Sequence, residues 1–215
     1  MTERNRRILW FVVFIGCLLP AGDLLYRAFT GDLGADPVET LIRTTGDWAI
    51  KFLVAGLLLT PLTRILKNPL PVRFRRMIGL YAFFYVCIHL SLYLGLDQGL
   101  DVPAIVKDVL KRPYITFGMM AFLLLVPLAI TSTRKMVARL GPKKWRQLHR
   151  AVYVAASFGV IHYYLLVKLD ITWPLIYGTI LAVALLWRVW QALPRDSTIR
   201  AAKSKSGATK SVAPL

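Results

Sequence analysis

Negative charge is scarce in this chain of 215 residues: 11 Asp and Glu stand against 28 Lys and Arg, for a formal net charge of +17. Cysteine is nearly absent. The only two, Cys17 and Cys87, fall inside apolar runs, which excludes a loop disulfide and suits small buried hydrophobes. Histidine occurs three times. Above all, the chain is short of polar sequence: 56% of residues are hydrophobic, 18% are charged, and mean hydropathy is +0.54. That is too apolar for a soluble domain of this size and places the chain in a bilayer. At roughly 20 apolar residues per span, the length holds about six transmembrane helices and leaves no room for a soluble nucleotide-binding domain. No internal repeat is visible.

Apolar runs between charged or turn-rich breaks predict spans at 8–26, 48–63, 77–96, 114–131, 151–167 and 173–190. The expected fold class is an all-α membrane protein, a bundle of six transmembrane helices. Alternating the connections gathers most of the positive charge on one side. Arg4, Arg6 and Arg7 precede the first span, and Arg64, Lys67, Arg73, Arg75 and Arg76 fill the second link. Arg134, Lys135, Arg139, Lys143, Lys144, Arg146 and Arg150 fill the fourth, and Arg188, Arg195, Arg200, Lys203, Lys205 and Lys210 end the chain. The opposite side carries Arg27, Arg43, Lys107, Lys111, Arg112 and Lys168 among nine acidic residues, and is mildly acidic. The basic side is therefore the cytoplasmic one, with both termini on it. This charge orients the bundle and meets anionic lipid rather than nucleic acid.

The tryptophans sit near predicted span ends, as interfacial anchors do. The N-terminal MTERNRR and the apolar run up to Pro20 could be a secretory leader. They read instead as a retained helix, since no small-x-small cleavage site follows cleanly. Residues 1–192 form the membrane domain, and 193–215 read as a basic, disordered cytoplasmic tail.

Two histidines, His89 and His162, lie well inside predicted spans three and five, where polar groups are costly and mark function. Both spans start on the cytoplasmic side, so depths compare directly: each histidine lies roughly 18 to 20 Å from the inner boundary at 1.5 Å per residue. Two neutral imidazoles at one depth on parallel helices suit the two axial positions of a heme iron. No cysteine, carboxylate or third histidine shares that depth on those helices, which disfavours a closed tetrahedral metal site.

His149, in WRQLHR, sits about 20 Å below His162 by the same rise, so these two cannot ligate one iron. A second heme there would need a partner near the start of span three, where the sequence offers Arg75 and Arg76. Three readings stay open: a heme with an unusual second ligand, a pocket for a flavin phosphate, or an anion site for heme propionates. On an ideal helix His149 and His162 would also point about 140° apart.

The segments GDWAIKFLVAGLLLTPL, RRMIGLYAFFYVCIHLSLYL, KRPYITFG with PLAITS, and RLGPKKWRQLHRAVY followed by His162 resemble the MsrQ family, grouped with the ferric-reductase-like transmembrane domains. The resemblance covers roughly residues 1–192. It implies a bacterial inner-membrane electron carrier with heme b and FMN. Its partner would be a periplasmic molybdopterin-containing catalytic subunit that reduces methionine sulfoxide in oxidised proteins. The quinone pool or a cytoplasmic flavin reductase would be the donor. His89 and His162 match the heme ligands, His149 the third family histidine, with a second heme in view, and Arg75 and Arg76 the paired arginines at the base of span three. The fourth histidine of the wider ferric-reductase pattern is missing, as is any FAD or NADPH domain. The alternative is a transmembrane ferric or metal reductase working with a separate flavin reductase. A transporter would show mid-span acids or paired repeats, and neither is seen.

Overall fold

A long apolar segment in lipid must satisfy its backbone within itself, so helices are the expected outcome. The structure, a computed structural model, describes residues 2–167 and 169–193; Lys168 and the basic tail expected beyond Leu193 lie outside the described residues. Among the described residues there are eight α-helices, one π-helical turn and no strand. In chain order these are α1 (Glu3–Thr30), α2 (Pro37–Ile65), α3 (Leu70–Leu92) with the π-helical turn Tyr93–Asp97, α4 (Val102–Lys111), α5 (Pro113–Ile130), α6 (Arg134–Leu148), α7 (Ala151–Leu166) and α8 (Thr172–Ala192).

Among the described residues five helices are long and apolar enough to cross a membrane: α1, α2, α3 with its π-helical turn, α5 and α8. The sixth expected span, α7, is apolar but has 16 residues. At about 1.5 Å per residue it falls short of a hydrocarbon core of roughly 30 Å. It runs through the interior instead, with Ala155 and Ala156 at 0% exposure.

Two helix starts differ from the hydropathy reading. The second helix begins at Pro37, far ahead of Trp48, because Asp36 caps it by accepting from the Glu39 N–H at 2.9 Å and Pro37 is preset for a first turn. Its outer turns are helical but polar, so an apolar run does not reveal them. The third helix begins at Leu70, which puts Arg73, Arg75 and Arg76 on its first turns instead of in a link. The links expected before and after span four hold helices of their own, α4 and α6. Asp101 caps α4 through the Ala104 N–H (3.0 Å), and Thr133 caps α6 through the Met136 N–H (3.2 Å).

The most extensive packing joins α2 to α3 and α5 to α7, while α8 lies against α2 and α7. The first helix is tied in at a proline. Pro20 lacks an N–H and opens the hydrogen-bond ladder of α1. The Tyr85 hydroxyl enters there, accepting from the Ala21 N–H (3.1 Å) and donating to the Cys17 carbonyl (2.9 Å). One turn earlier the Tyr81 hydroxyl donates to the Phe14 carbonyl at 2.9 Å. Both tyrosines are buried, Tyr85 to 1% exposure. Cys17 is buried, Cys87 half-buried, and both are free thiols.

Candidate functional site

The fold brings His89 of α3 and His162 of α7 together: their ring centres are 6.1 Å apart and their planes cross at 81°. Each ring is held from a different neighbour. His89 Nδ1 lies 2.9 Å from the carbonyl oxygen of Ile42 on α2, and His162 Nδ1 lies 2.6 Å from that of Tyr114 on α5. A carbonyl oxygen can only accept, so Nδ1 carries the proton in both rings and donates it. That leaves Nε2 as a bare lone pair on each, the tautomer a metal ligand needs.

A glycine stands one turn beyond each carbonyl. A Cβ on Gly46 would lie 3.0 Å from Cε1 and Nδ1 of His89, and one on Gly118 would lie 2.8 Å from Nδ1 of His162. The π-helical turn Tyr93–Asp97 follows one turn after His89; such local widening is common near functional sites. Two imidazoles bound to one metal from opposite sides, with bonds of about 2 Å, put their ring centres roughly 6 Å apart. The spacing of the pair is the one that two imidazoles would need to hold one heme iron between them. Among the described residues no group of three His, Cys, Asp or Glu side chains lies together as a self-contained metal site.

His149 lies elsewhere, at the C-cap of α6, and α7 starts only at Ala151. The break between those helices removes the angular conflict of a continuous helix. The ring stacks on Trp145 with centres 3.9 Å apart, and Nε2 lies 3.1 Å from Thr131 Oγ1. The Thr131 hydroxyl gives its proton to the Pro127 carbonyl at 2.6 Å, so His149 Nε2–H is the donor to it. The Trp145 indole N–H donates to the Thr131 carbonyl at 2.9 Å, closing the end of α5. Burial first, and the Arg75 guanidinium second, push the His149 pKa below its ordinary value.

Arg75 and Arg76 part company: Arg75 is half-buried and its charge acts on His149, while Arg76 is exposed. The half-buried residue that sequence reading overlooked is Arg188, which was counted only among tail charges. It donates to the carbonyls of Ala184 and Leu57 and lies over the Tyr153 ring at 5.2 Å. Arg64 donates to Gln191 alongside. This end of the bundle is thus a basic cluster with one neutral imidazole. Between the two sites the packing is aromatic: Phe83 of α3 stacks on Phe122 of α5 at 6.1 Å and 7°, and Phe117 of α5 meets Phe158 of α7 at 5.6 Å.

At the outer end of α2, Asp47 pairs with Lys51, which also lies 4.6 Å from the centre of the Trp48 ring. Tyr177 of α8, buried to 7% exposure, donates to Asp47 at 3.4 Å. The carbonyl seats have no side-chain signature in the sequence, although the glycines at 46 and 118 were visible as such, and the link joins residues 130 apart in the chain.

Residues 45–160 match the ferric reductase like transmembrane component family. The protein-methionine-sulfoxide reductase heme-binding subunit MsrQ of Caulobacter vibrioides is 48% identical over 86% of this chain and 88% of its own length. The protein of the same name in Rhodospirillum rubrum is 52% identical over 88% and 91%, and that in Herminiimonas arsenicoxydans 50% identical over 86% of each. The chain belongs to the MsrQ family, within the ferric-reductase-like transmembrane components.

Proposed function

We propose that the chain is the multi-pass, inner-membrane electron-transfer subunit of a methionine sulfoxide reductase. It takes electrons from the quinone pool or a cytoplasmic flavin donor and delivers them to a periplasmic, molybdopterin-containing catalytic subunit. The relatives are named as heme-binding subunits, which supports a heme, read here as b-type. The observation that carries the reading is the His89–His162 pair, with both Nδ1 atoms tied to carbonyls and both Nε2 atoms bare. A heme held by His89 and His162 would supply a one-electron iron couple. The chain supplies the two ligands, fixes their tautomer through Ile42 and Tyr114, and surrounds them with apolar helices that keep water out.

In this reading residues 1–192 form the membrane unit, α7 makes the sixth crossing inside the bundle together with the residues that flank its short helix, and both termini are cytoplasmic, as the basic cluster of Arg64, Arg75 and Arg188 at one end supports. Arg75 and His149, with Arg76 at the rim, receive an anionic group on that side: a heme propionate or the phosphate of FMN. The tie of His149 Nε2 to Thr131 favours this anion role over ligation of a second heme. The catalytic subunit docks on the outer segments 27–47 and 97–112, nearest the His89–His162 pair.

The visible spectrum of the purified protein, before and after dithionite, tests the reading. A b-type Soret band that sharpens on reduction is expected, and its loss in both His89→Ala and His162→Ala. A parent spectrum in both variants would overturn it.

A further inference from the structure

The seats that hold the two imidazoles are the same device built twice. On α2 the carbonyl of Ile42 accepts the Nδ1–H of His89, and Gly46, one turn on, lies against the same ring. On α5 the carbonyl of Tyr114 accepts the Nδ1–H of His162, and Gly118, one turn on, lies against that ring. The helix pairs involved, α2 with α3 and α5 with α7, are the two most extensively packed in the bundle.

Backbone conformation does not call for glycine at either place, since both lie inside helices and neither has a positive φ. A helix-interior glycine weakens the helix relative to alanine. Space is the remaining reason. A Cβ at position 118 would meet an imidazole at 2.8 Å, closer than side chains come, and one at position 46 would meet the other at 3.0 Å, where the ring must give by a few tenths of an ångström, whereas Gly16, Gly22, Gly79 and Gly95 have nothing within 4 Å. Gly56 has only an ordinary contact, at 3.6 Å from Ile78.

We propose that Gly46 and Gly118 are positioning residues that set the rotation of the His89 and His162 rings. Carbonyl and glycine act together: the carbonyl four residues earlier fixes which nitrogen carries the proton, and the missing Cβ lets the ring lie flat enough to reach that carbonyl. A methyl group would swing the ring away, stretch the Nδ1–H bond and change the 81° crossing angle. In an iron centre with two imidazole ligands, the relative ring planes govern the splitting of the iron orbitals. The effect of each glycine is thus on the character of the centre as well as on its assembly. The spectroscopic part rests on the heme reading above; the steric part does not.

The experiment is a double-mutant cycle on the full chain in detergent. Gly46→Ala is made alone and with His89→Ala, and Gly118→Ala alone and with His162→Ala, with Gly56→Ala as the control. Thermal unfolding followed by circular dichroism is read on protein free of heme. Each glycine substitution is expected to lower Tm in the parent, and to leave Tm unchanged or raise it where the facing ring has been removed. Equal effects in both backgrounds would overturn the proposal, whether or not heme binds. Heme-loaded variants that keep heme are then compared by low-temperature electron paramagnetic resonance. A shifted largest g value is expected in Gly46→Ala and Gly118→Ala but not in Gly56→Ala, and spectra identical to the parent in both would likewise overturn it. A positive cycle in a chain that shows no Soret band would sink the heme reading and leave the seats standing.

Discussion

The paired histidines, His89 and His162, and the solitary His149 are built in opposite ways. His89 and His162 each give up Nδ1 to a backbone carbonyl and keep Nε2 bare. His149 gives up Nε2 to a threonine hydroxyl, stacks on Trp145 and sits within the field of Arg75. The His89–His162 arrangement leaves on each ring a lone pair that a metal could take. The His149 arrangement places a neutral ring beside arginines, which suits an anion. Residue type alone therefore does not assign a role; the partner of the other ring nitrogen does.

The largest effect expected separates the two regions directly. Replacing His89 or His162 by Ala should remove most of the Soret absorbance at equal protein, because a buried iron would lose one of two axial ligands. His149→Ala should keep most of it. An equal loss in all three variants would erase the distinction and return His149 to the set of iron ligands.

A second contrast lies inside the basic cluster. Arg75→Glu should weaken FMN binding, read by quenching of flavin fluorescence, by about 10- to 100-fold, the range for a charge-assisted hydrogen bond of 1.5–3 kcal/mol. Arg76→Glu, at an exposed position, should cost no more than about threefold, as surface charges do. If Arg76 carries the larger effect, the anion sits on the outer side of α3.

Much of this was legible in the sequence, and the boundary is physical. The spans expected at 114–131 and 151–167 agree within a residue with Pro113–Ile130 and Ala151–Leu166, because their apolar runs stop where the helices stop. The start of α2 was missed, since PVETLIRTTGD is helical without being apolar, and α4 and α6 were missed because charge masks short amphipathic helices. The pairing of His89 with His162 followed from counting residues along parallel helices. The seats did not, because Ile42 and Tyr114 contribute only a carbonyl, and backbone atoms carry no residue-type signal. The sequence shows no repeat, yet the two halves converge on one device, which is a similarity of contacts and not of residues.

The pH dependence sharpens the inner site further. Burial and Arg75 hold the His149 pKa below its ordinary 6.5, so the free ring is neutral at pH 7. An anion bound beside the ring favours the protonated form, so binding takes up a proton. FMN affinity should therefore rise as pH falls from about 7 towards 5, by at most about tenfold per pH unit for one coupled proton. His149→Ala should flatten that slope. A rise that survives the substitution assigns the proton to another group of the protein, since protonating the phosphate, whose second ionisation falls at about 6, removes negative charge and weakens its hold on the arginines.

The smallest effect concerns how the outer region meets its partner. Acidic residues there already have structural work. Asp101 caps α4, Asp97 accepts from Gln98, and Asp108 accepts from Tyr93 and pairs with Arg112. Reversing them would disturb the fold before it tested docking. Lys107 and Lys111 are exposed on α4, and among the described residues neither takes part in a salt bridge. An acceptor whose approach is steered by charge would feel these two first, since exposed rim charges change encounter rates more than affinity. Lys107→Glu with Lys111→Glu should leave heme content unchanged and slow reoxidation of the reduced protein by its acceptor a few-fold at low salt. The difference should vanish near 1 M salt, where screening shortens the reach of a charge to about 3 Å. A rate and salt dependence equal to those of the parent would place docking on the segment between α1 and α2 instead, where Asp32 already pairs with Arg27 at the end of α1.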